Sequence, residues 1–439
     1  MSIAGDTSPR IPGFNSYSET VLSPRRSGIA WQVATNPGNA TVPTASGSGS
    51  IAIGPGSATG IGSIVIGSGT SANSTSIAIG PAAVFGTNSI GIGAATAGVS
   101  NNIGNENIAI GNGAICAINA SVGSAGSVCI GLNARTSSAL NAVNTGNSTA
   151  VGTSALAVAD NSTGIGRSAN ALAASSTALG HSSTVNTGAT SSTAVGSSAT
   201  VATNATSAVA LGASASAGGN NAVAIRGTAT PADSIAIRGT VNTGATNSIA
   251  IGVSSSVSTS ATSAIAIGDS AVTASVNSQA IGALANTEFQ GQINLCNARF
   301  ATNNDIATST VPMYMTTTTA AATNLATGAG AAATTPTGTL VCTNNSTYIF
   351  EVDIVAKSAS NAGAAAWNLK FAFDRQGSAA TSEISALSKT IMYTRGTTTG
   401  WDVTATADTT NGRPNITVTG AAATTIRWVG NVKMTKVAH

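Results

Sequence analysis

The five residues SIAIG at positions 76–80 return throughout the chain, as SIVIG at 63–67, SIGIG at 89–93, NIAIG at 107–111 and SIAIG again at 248–252. Aligned on its closing glycine, the repeat has sixteen copies between Gly54 and Gly282, spaced 12 to 21 residues apart. In two of them Arg226 and Arg238 stand at the glycine's place. Self-similarity at so short a period points away from one mixed globular core and toward a solenoid, in which each unit stacks on its neighbour.

The columns of the repeat set its local structure. The residue before the glycine is always Ile, Val or Leu, and the one three before it is β-branched everywhere except at Gln279. Between them stands a small residue, twelve times Ala, twice Gly, and once each Cys129 and Val65. This alternation predicts a short strand with one aliphatic face, as Ile77 with Ile79 or Ile249 with Ile251, and one face pressed for space. Gly80, Gly252 and their counterparts close the strand where a turn needs positive φ. The aliphatic face is expected to fill the interior of the coil, and the alanine column to admit another backbone. A threonine column (Thr149, Thr163, Thr177, Thr193) shares the aliphatic face and is expected to point inward, over too few coils to order ice. The Ser and Ala residues after the glycine predict a second short strand returning across the coil. A coil of about fourteen residues has a thin interior, and sixteen of them stack to roughly 75 Å at the strand spacing.

Composition agrees with a small-residue solenoid. The 439 residues are 42% apolar but only 3% aromatic and 7% charged, with 50 glycines. An ordinary globular domain carries more large and charged residues, and a disordered chain carries fewer apolar ones. A net charge of +3 from 17 basic and 14 acidic residues leaves no footprint for nucleic acid, so no nucleic-acid partner is expected. The opening MSIAGD lacks the basic and apolar regions of a signal peptide, and no apolar run approaches the ~20 residues of a membrane helix; synthesis in a cytoplasm is expected. Cys116, Cys129, Cys296 and Cys342 have neither CxxC nor zinc spacing and read as buried free thiols, with no metal or cofactor implied.

The pattern Ser/Asn-x-Ile/Val/Thr-Ala-Ile/Val/Leu-Gly-x-Ser/Gly-Ala, over about residues 49–287, resembles the head repeat of trimeric autotransporter adhesins. The resemblance implies a parallel left-handed β-roll of about sixteen coils assembled as a homotrimer, a roll that phage fibres also use. The chain shows no heptads, which favours a phage fibre over the alternative, a bacterial trimeric surface adhesin. Residues 1–48 carry Pro9, Arg10, Pro12, Pro24, Arg25, Arg26, Pro37 and Pro43 and end in SGSGS. They read as an extended arm that docks on a tail or baseplate protein.

The C-terminal part is different material. Of fifteen aromatic residues the repeat region holds one, Phe85, whereas Tyr314 to Trp428 holds nine. The runs YIFEVDI (348–354), WNLKFAF (367–373), WDVTATA (401–407) and NITVTG (415–420) alternate at period two, and Asn411-Gly412 marks a hairpin. An antiparallel β-sandwich over 313–439 is expected, joined to the roll by a connector at 288–312. The segment GWDVTATADTTNGRPNITVTGAAATTIRWVGNVKMTKV, with AAAWNLKFAFDR before it, resembles the distal domain of phage tail fibres. That resemblance implies a virion protein, made without a signal peptide, that adsorbs to a host surface glycan or outer-membrane receptor.

A polysaccharide-cutting tailspike, the less favoured reading, needs two carboxyls within roughly 5–10 Å. Glu106, Asp160, Asp233 and Asp269, the acids of the roll, sit in different coils, and Glu351 with Asp353 reads as surface charge. His181 follows the glycine one coil after Arg167 and is expected on an exposed turn; His439 ends the chain. No triad or phosphate loop is present, so no enzyme is expected. Trp367, Phe371, Phe373 and Trp401 alternate as core. Arg375, Gln376, Tyr393, Arg395, Asn411 and Arg413 lie on expected turns and are the candidate receptor contacts, since loops on a rigid scaffold carry recognition.

Overall fold

Each copy of the repeat forms a three-residue strand in the computed structural model, and the strands stack in register as a parallel sheet. The structure describes residues 16–17, 29–33, 43–71, 74–84, 86–97, 106–116, 126–136, 146–296, 299–300, 305–327 and 339–439. Phe85 and most of the expected arm lie outside the described residues. The chain divides into two compact units, Met1–Ala215 and Ser216–His439. Both carry coils, about sixteen in all, and the second also carries the antiparallel strands of the C-terminus.

In the first unit, Thr149–Val151, Thr163–Ile165, Thr177–Leu179 and Thr193–Val195 pair in parallel, so that Ala150, Gly164, Ala178 and Ala194 form one column. A second parallel sheet returns through Leu156–Ala157, Asn170–Ala171, Thr184–Val185 and Thr200–Val201. The interior of a coil lies between these two sheets. In one coil it holds Ser148, Ala150, Ala155 and Ala157, each with no exposed surface. There is no room for more: a Cβ added at Gly164 would stand 2.5 Å from the Leu156 carbonyl oxygen of the opposite strand. Most inward serines are satisfied by the turns, as where Ser148 Oγ donates to the Ala159 carbonyl (2.8 Å).

This reverses the expected direction of the strand faces. The alanine column fills the interior, and the aliphatic columns point away from it. Ile79, Leu179 and Ile267 keep 36%, 41% and 39% of their surface exposed in the single chain. Thr149, Thr163, Thr177 and Thr193 point outward with them. Volume decides the matter: an interior one alanine deep cannot take isoleucine, whatever the gain from burying it.

Two left-handed corners per coil explain the polar small residues. Ser154, Ser168, Ser182 and Ser198, two residues past the glycine, have φ of 55 to 57°, and Asn147, Asn161, Ser175 and Ser191 take the same region before the next strand. The closing glycines are held by stacking as well as by φ. Gly166 has φ of 129°, and a Cβ there would lie 2.5 Å from the Gly180 carbonyl oxygen. Arg226 and Arg238 keep the coil by entering the left-handed region at φ of 51° and 59°, at a cost of roughly 1 kcal/mol each.

The repetitive sheet extends beyond residues 49–287. Ile29–Val33 lies parallel to Ile51–Ile53 and antiparallel to Ser16–Tyr17. In the second unit, Ile293–Leu295, within the expected connector, is the last rung on Gln279–Ile281. It also pairs antiparallel with the first long strand, β1 (Ile306–Thr317). The remaining strands are β2 (Ala322–Asn324), β3 (Ser346–Ser358), β4 (Gly363–Arg375), β5 (Ser382–Ile384), β6 (Ser388–Gly396), β7 (Asp402–Asp408), β8 (Arg413–Thr419) and β9 (Ile426–Ala438). The larger sheet runs β1–β9–β3–β4–β6, with β5 beside β4, and the smaller runs β2–β8–β7. The two enclose one core in which Phe350, Phe371, Trp367 and Trp428 of the larger sheet meet Trp401, Val403, Ile416 and Val418 of the smaller. The expected sandwich and its aromatic core are present.

The reversed faces make a direct prediction. Ala250→Leu overfills a coil and should lower thermal stability by about 1–3 kcal/mol in any assembly state. Ile251→Asp should leave the secondary structure of an isolated chain intact, because its side chain lies outside the coil. Circular dichroism melts of the two variants check both outcomes.

Candidate functional site

The six candidate contacts fall at two opposite ends of the C-terminal domain. Arg375, Gln376, Asn411 and Arg413 lie at the end joined to the last coil, where Ser346 stands opposite both Arg375 and Ala438. Three of these four spend their polar groups inside the domain. Arg375 lies against Gly412 and donates Nη1 to the Cys342 and Gly412 carbonyls. Arg413 Nε donates to Asp408 Oδ2 at 2.9 Å, with side-chain exposures of only 19% and 12%. Asn411 donates its amide nitrogen to Asp408 Oδ1 (3.0 Å) and its Nδ2 to Oδ2 (2.8 Å). Desolvation raises the Asp408 carboxyl, but the bonds from Asn411 and Arg413 outweigh it and hold it below the usual carboxylate range. Gln376 is exposed beside this clamp. The arrangement ties the β7–β8 hairpin to the end of β4.

Tyr393 and Arg395 lie at the other end, and not on a loop. Both belong to β6, an edge strand whose residues are all exposed. It pairs with β4 through Ala366↔Tyr393 and Ala364↔Arg395, with a bulge between Ala366 and Trp367. Under this end the core is made of indoles: Trp367 stacks on Trp428 (5.6 Å between centroids), which Trp401 meets at 5.9 Å. Trp428 Nε1 donates to Thr317 Oγ1 at 2.9 Å in the interior.

The remaining titratable groups form ties rather than a reactive constellation. Glu351 and Asp353 face outward on β3 as expected, Glu351 toward Lys370 (3.4 Å) and Asp353 toward Lys433 (3.3 Å). The Asn368 amide donates to Asp353 at 2.7 Å and holds its carboxyl low, the opposite of what a general acid requires. Glu288 of the last coil pairs with Lys436, a cation only 6% exposed that also lies over the Tyr348 ring. All four cysteines are buried and none forms a disulfide, and burial pushes the Cys116 and Cys342 thiols up. His181 stands exposed on its turn, its Nε2 2.5 Å from Arg167 Nη2 of the preceding coil. Among the described residues no group of three His, Cys, Asp or Glu side chains converges as a metal site would. A cleft of about 450 Å³ opens beside the chain end, lined by Phe300, Asp305, Asn345, Thr347 and His439. Its carboxylate, Asp305, already accepts the Phe300 amide at 2.9 Å.

Asp408→Ala should destabilise the C-terminal domain by about 1 kcal/mol at neutral pH, the usual worth of such bonds. A lowered carboxyl contributes stability above its unfolded value near 4 and loses it as pH falls through the folded value. The difference between the variant and the natural chain should therefore shrink below about pH 4, which denaturation at pH 7 and pH 3 would measure.

No protein-family model matches the sequence, and no curated protein matches it. Among solved structures, the crystal structure of the tailspike protein of Acinetobacter baumannii phage AM24 aligns over 89% of this chain and 67% of that one, at 8% identity and a TM-score of 0.18. A likeness at that level carries no weight for fold or function.

Proposed function

We propose that the chain is a homotrimeric phage tail fibre whose C-terminal domain contacts the host surface. The observation that carries this reading is the joining of two unlike materials in one chain. The repeats build a stack of coils with a uniform, sparsely charged surface, and the last rung passes straight into an antiparallel domain with a large aromatic core. The first supplies length and the second an exposed, rigidly backed strand end. Both sequence resemblances lead to the same reading. Residues 1–48 would attach the fibre to a tail or baseplate protein.

The outward aliphatic columns support the trimer. In one chain Ile53, Ile66, Ile79, Ile130, Ile165 and Leu179 keep about two-fifths of their surface in water, rung after rung. A continuous apolar ladder on a soluble chain marks an interaction surface. A coil filled with alanine gains little from its own interior, so burial against two further copies would supply much of its stability. Adsorption through three domains per fibre, and several fibres per virion, would turn weak contacts into avidity.

Light scattering after gel filtration should give three times the 42.2 kDa chain mass. Ile251→Asp with Ile267→Asp should shift the protein toward smaller species. The purified full chain should compete with virions for host cells, and an antibody to the C-terminal domain should label fibre tips. A stable monomer that leaves adsorption untouched would contradict the reading.

A further inference from the structure

We infer that the end of the C-terminal domain remote from the last coil binds an anionic saccharide, through a row of three cations laid beside a row of apolar and tyrosyl side chains. The inference deepens the receptor-contact reading and rests on it. The sheet register defines both rows. Arg427 of β9 stands opposite Lys357 of β3, Lys357 opposite Ala364 of β4, and Ala364 opposite Arg395 of β6. Residues opposite each other on neighbouring strands point to the same face. The three cations therefore share the outer face, and all three are exposed. Two residues further along each strand, Tyr314, Val429, Val355, Ala366 and Tyr393 form the adjoining row. That row crosses five strands, roughly 19 Å at the interstrand spacing.

What singles out these cations within the C-terminal domain is the lack of a counter-charge. Lys370, Lys389, Lys433, Lys436 and Arg413 each face a carboxylate, and Arg375 is bonded to carbonyls. Among the described residues, Lys357, Arg395 and Arg427 make no ion pair. The loops around them (317–321, 358–362, 396–400 and 420–425) contain no charged residue at all, only Ala, Gly, Ser, Thr and Asn. Of the acids of the domain, Asp374, Glu383 and Asp408 lie toward the last coil and Glu351 and Asp353 in mid-sheet, while Asp402, two residues past the 396–400 loop, is already taken by Lys389. Three uncompensated cations at one end of the domain, in a chain with 7% charge, call for an anionic partner. The neighbouring row says what kind. Val355 and Val429 are each 57% exposed, with Tyr393 at 50% and Tyr314 at 36% at its two ends. Tyrosine rings with flat aliphatic surface between them suit the faces of sugar rings, and the guanidinium forks suit carboxylate or phosphate groups on them. The face is rigid because Trp367, Trp428 and Trp401 pack directly beneath these strand ends.

The test uses the full-length protein and three probes, oligogalacturonate (carboxylate), phosphomannan (phosphate) and neutral dextran, with binding followed by calorimetry at two salt concentrations. Either anionic probe should bind, more weakly in high salt, and dextran should not; the stronger of the two identifies the anion. Combined Lys357→Gln, Arg395→Gln and Arg427→Gln should weaken binding about tenfold or more, because each removed contact is charge-assisted. Arg395→Lys with Arg427→Lys should retain most of it, which separates loss of charge from loss of fold. Asp408→Ala, at the opposite end, should leave it unchanged. The inference is overturned if neither anionic probe binds, if dextran binds as well as they do, or if the triple variant binds normally. It is also overturned if the triple variant changes oligomeric state, since the face would then be an interface between copies. Cell adsorption by the triple variant separates this site from the wider reading. Normal adsorption, with the natural chain still blocking virions, removes the site and leaves the fibre. Loss of saccharide binding in a chain that never blocked virions removes the fibre and leaves the site.

Discussion

The distance between the two sheets of a coil governs the rest of the repetitive region. With the opposite backbone reached by a single Cβ at Gly164, the interior takes alanine, serine and, at single positions, valine, threonine, cysteine or asparagine, but no isoleucine or leucine. Every isoleucine of the strand is therefore driven outward, and the energetic problem of the coil moves to its surface. A chain built this way buries little apolar area per residue on its own. Its coils depend on hydrogen-bonded stacking, on the bonds most inward serines make to the turns and on whatever covers the aliphatic columns.

The repeat was legible in the sequence because its period, closing glycine and β-branched positions each have one backbone meaning. The strands, their register and the turn residues follow from those columns. The direction of the faces did not follow. Alternation at period two separates two faces without saying which is inside, and hydrophobicity alone favours isoleucine over alanine. The missing quantity was interior volume, which the sequence shows only through the two glycines, Gly91 and Gly164, that replace alanine in the same column. A Cβ on Gly91 would stand 2.6 Å from a methyl of Val84, the same crowding seen from the other sheet.

In the C-terminal domain the alternating runs revealed the long strands and their core, but the surface was only half legible. Glycine and threonine around residues 393–400 suggested a loop, whereas Tyr393 and Arg395 belong to an edge strand that ends at Gly396. Asn411 and Arg413 looked free because their partner, Asp408, is recognisable only once the hairpin brings its carboxylate under both. The cationic row was out of reach altogether, since Lys357, Arg395 and Arg427 come from strands far apart in sequence and meet only through sheet register. The two ends of the domain differ accordingly. The end near the last coil is consumed by ties such as Glu288–Lys436 and the Asp408 clamp, and the far end leaves its cations and tyrosines exposed.

The account rests on the aliphatic columns lying outside the coil and beneath another copy of the chain. Thiol labelling measures that most directly, because the four native cysteines are buried and give little background. Two single variants, Ile267→Cys on the outward column and Asp269→Cys on the adjacent turn, would be reacted with a soluble maleimide at native concentration. In an isolated chain both positions are accessible, Ile267 at 39%. The account predicts rapid labelling at position 269 and strong protection at position 267 that disappears when the assembly is dissociated. Equal, rapid labelling of both in the native protein would contradict it.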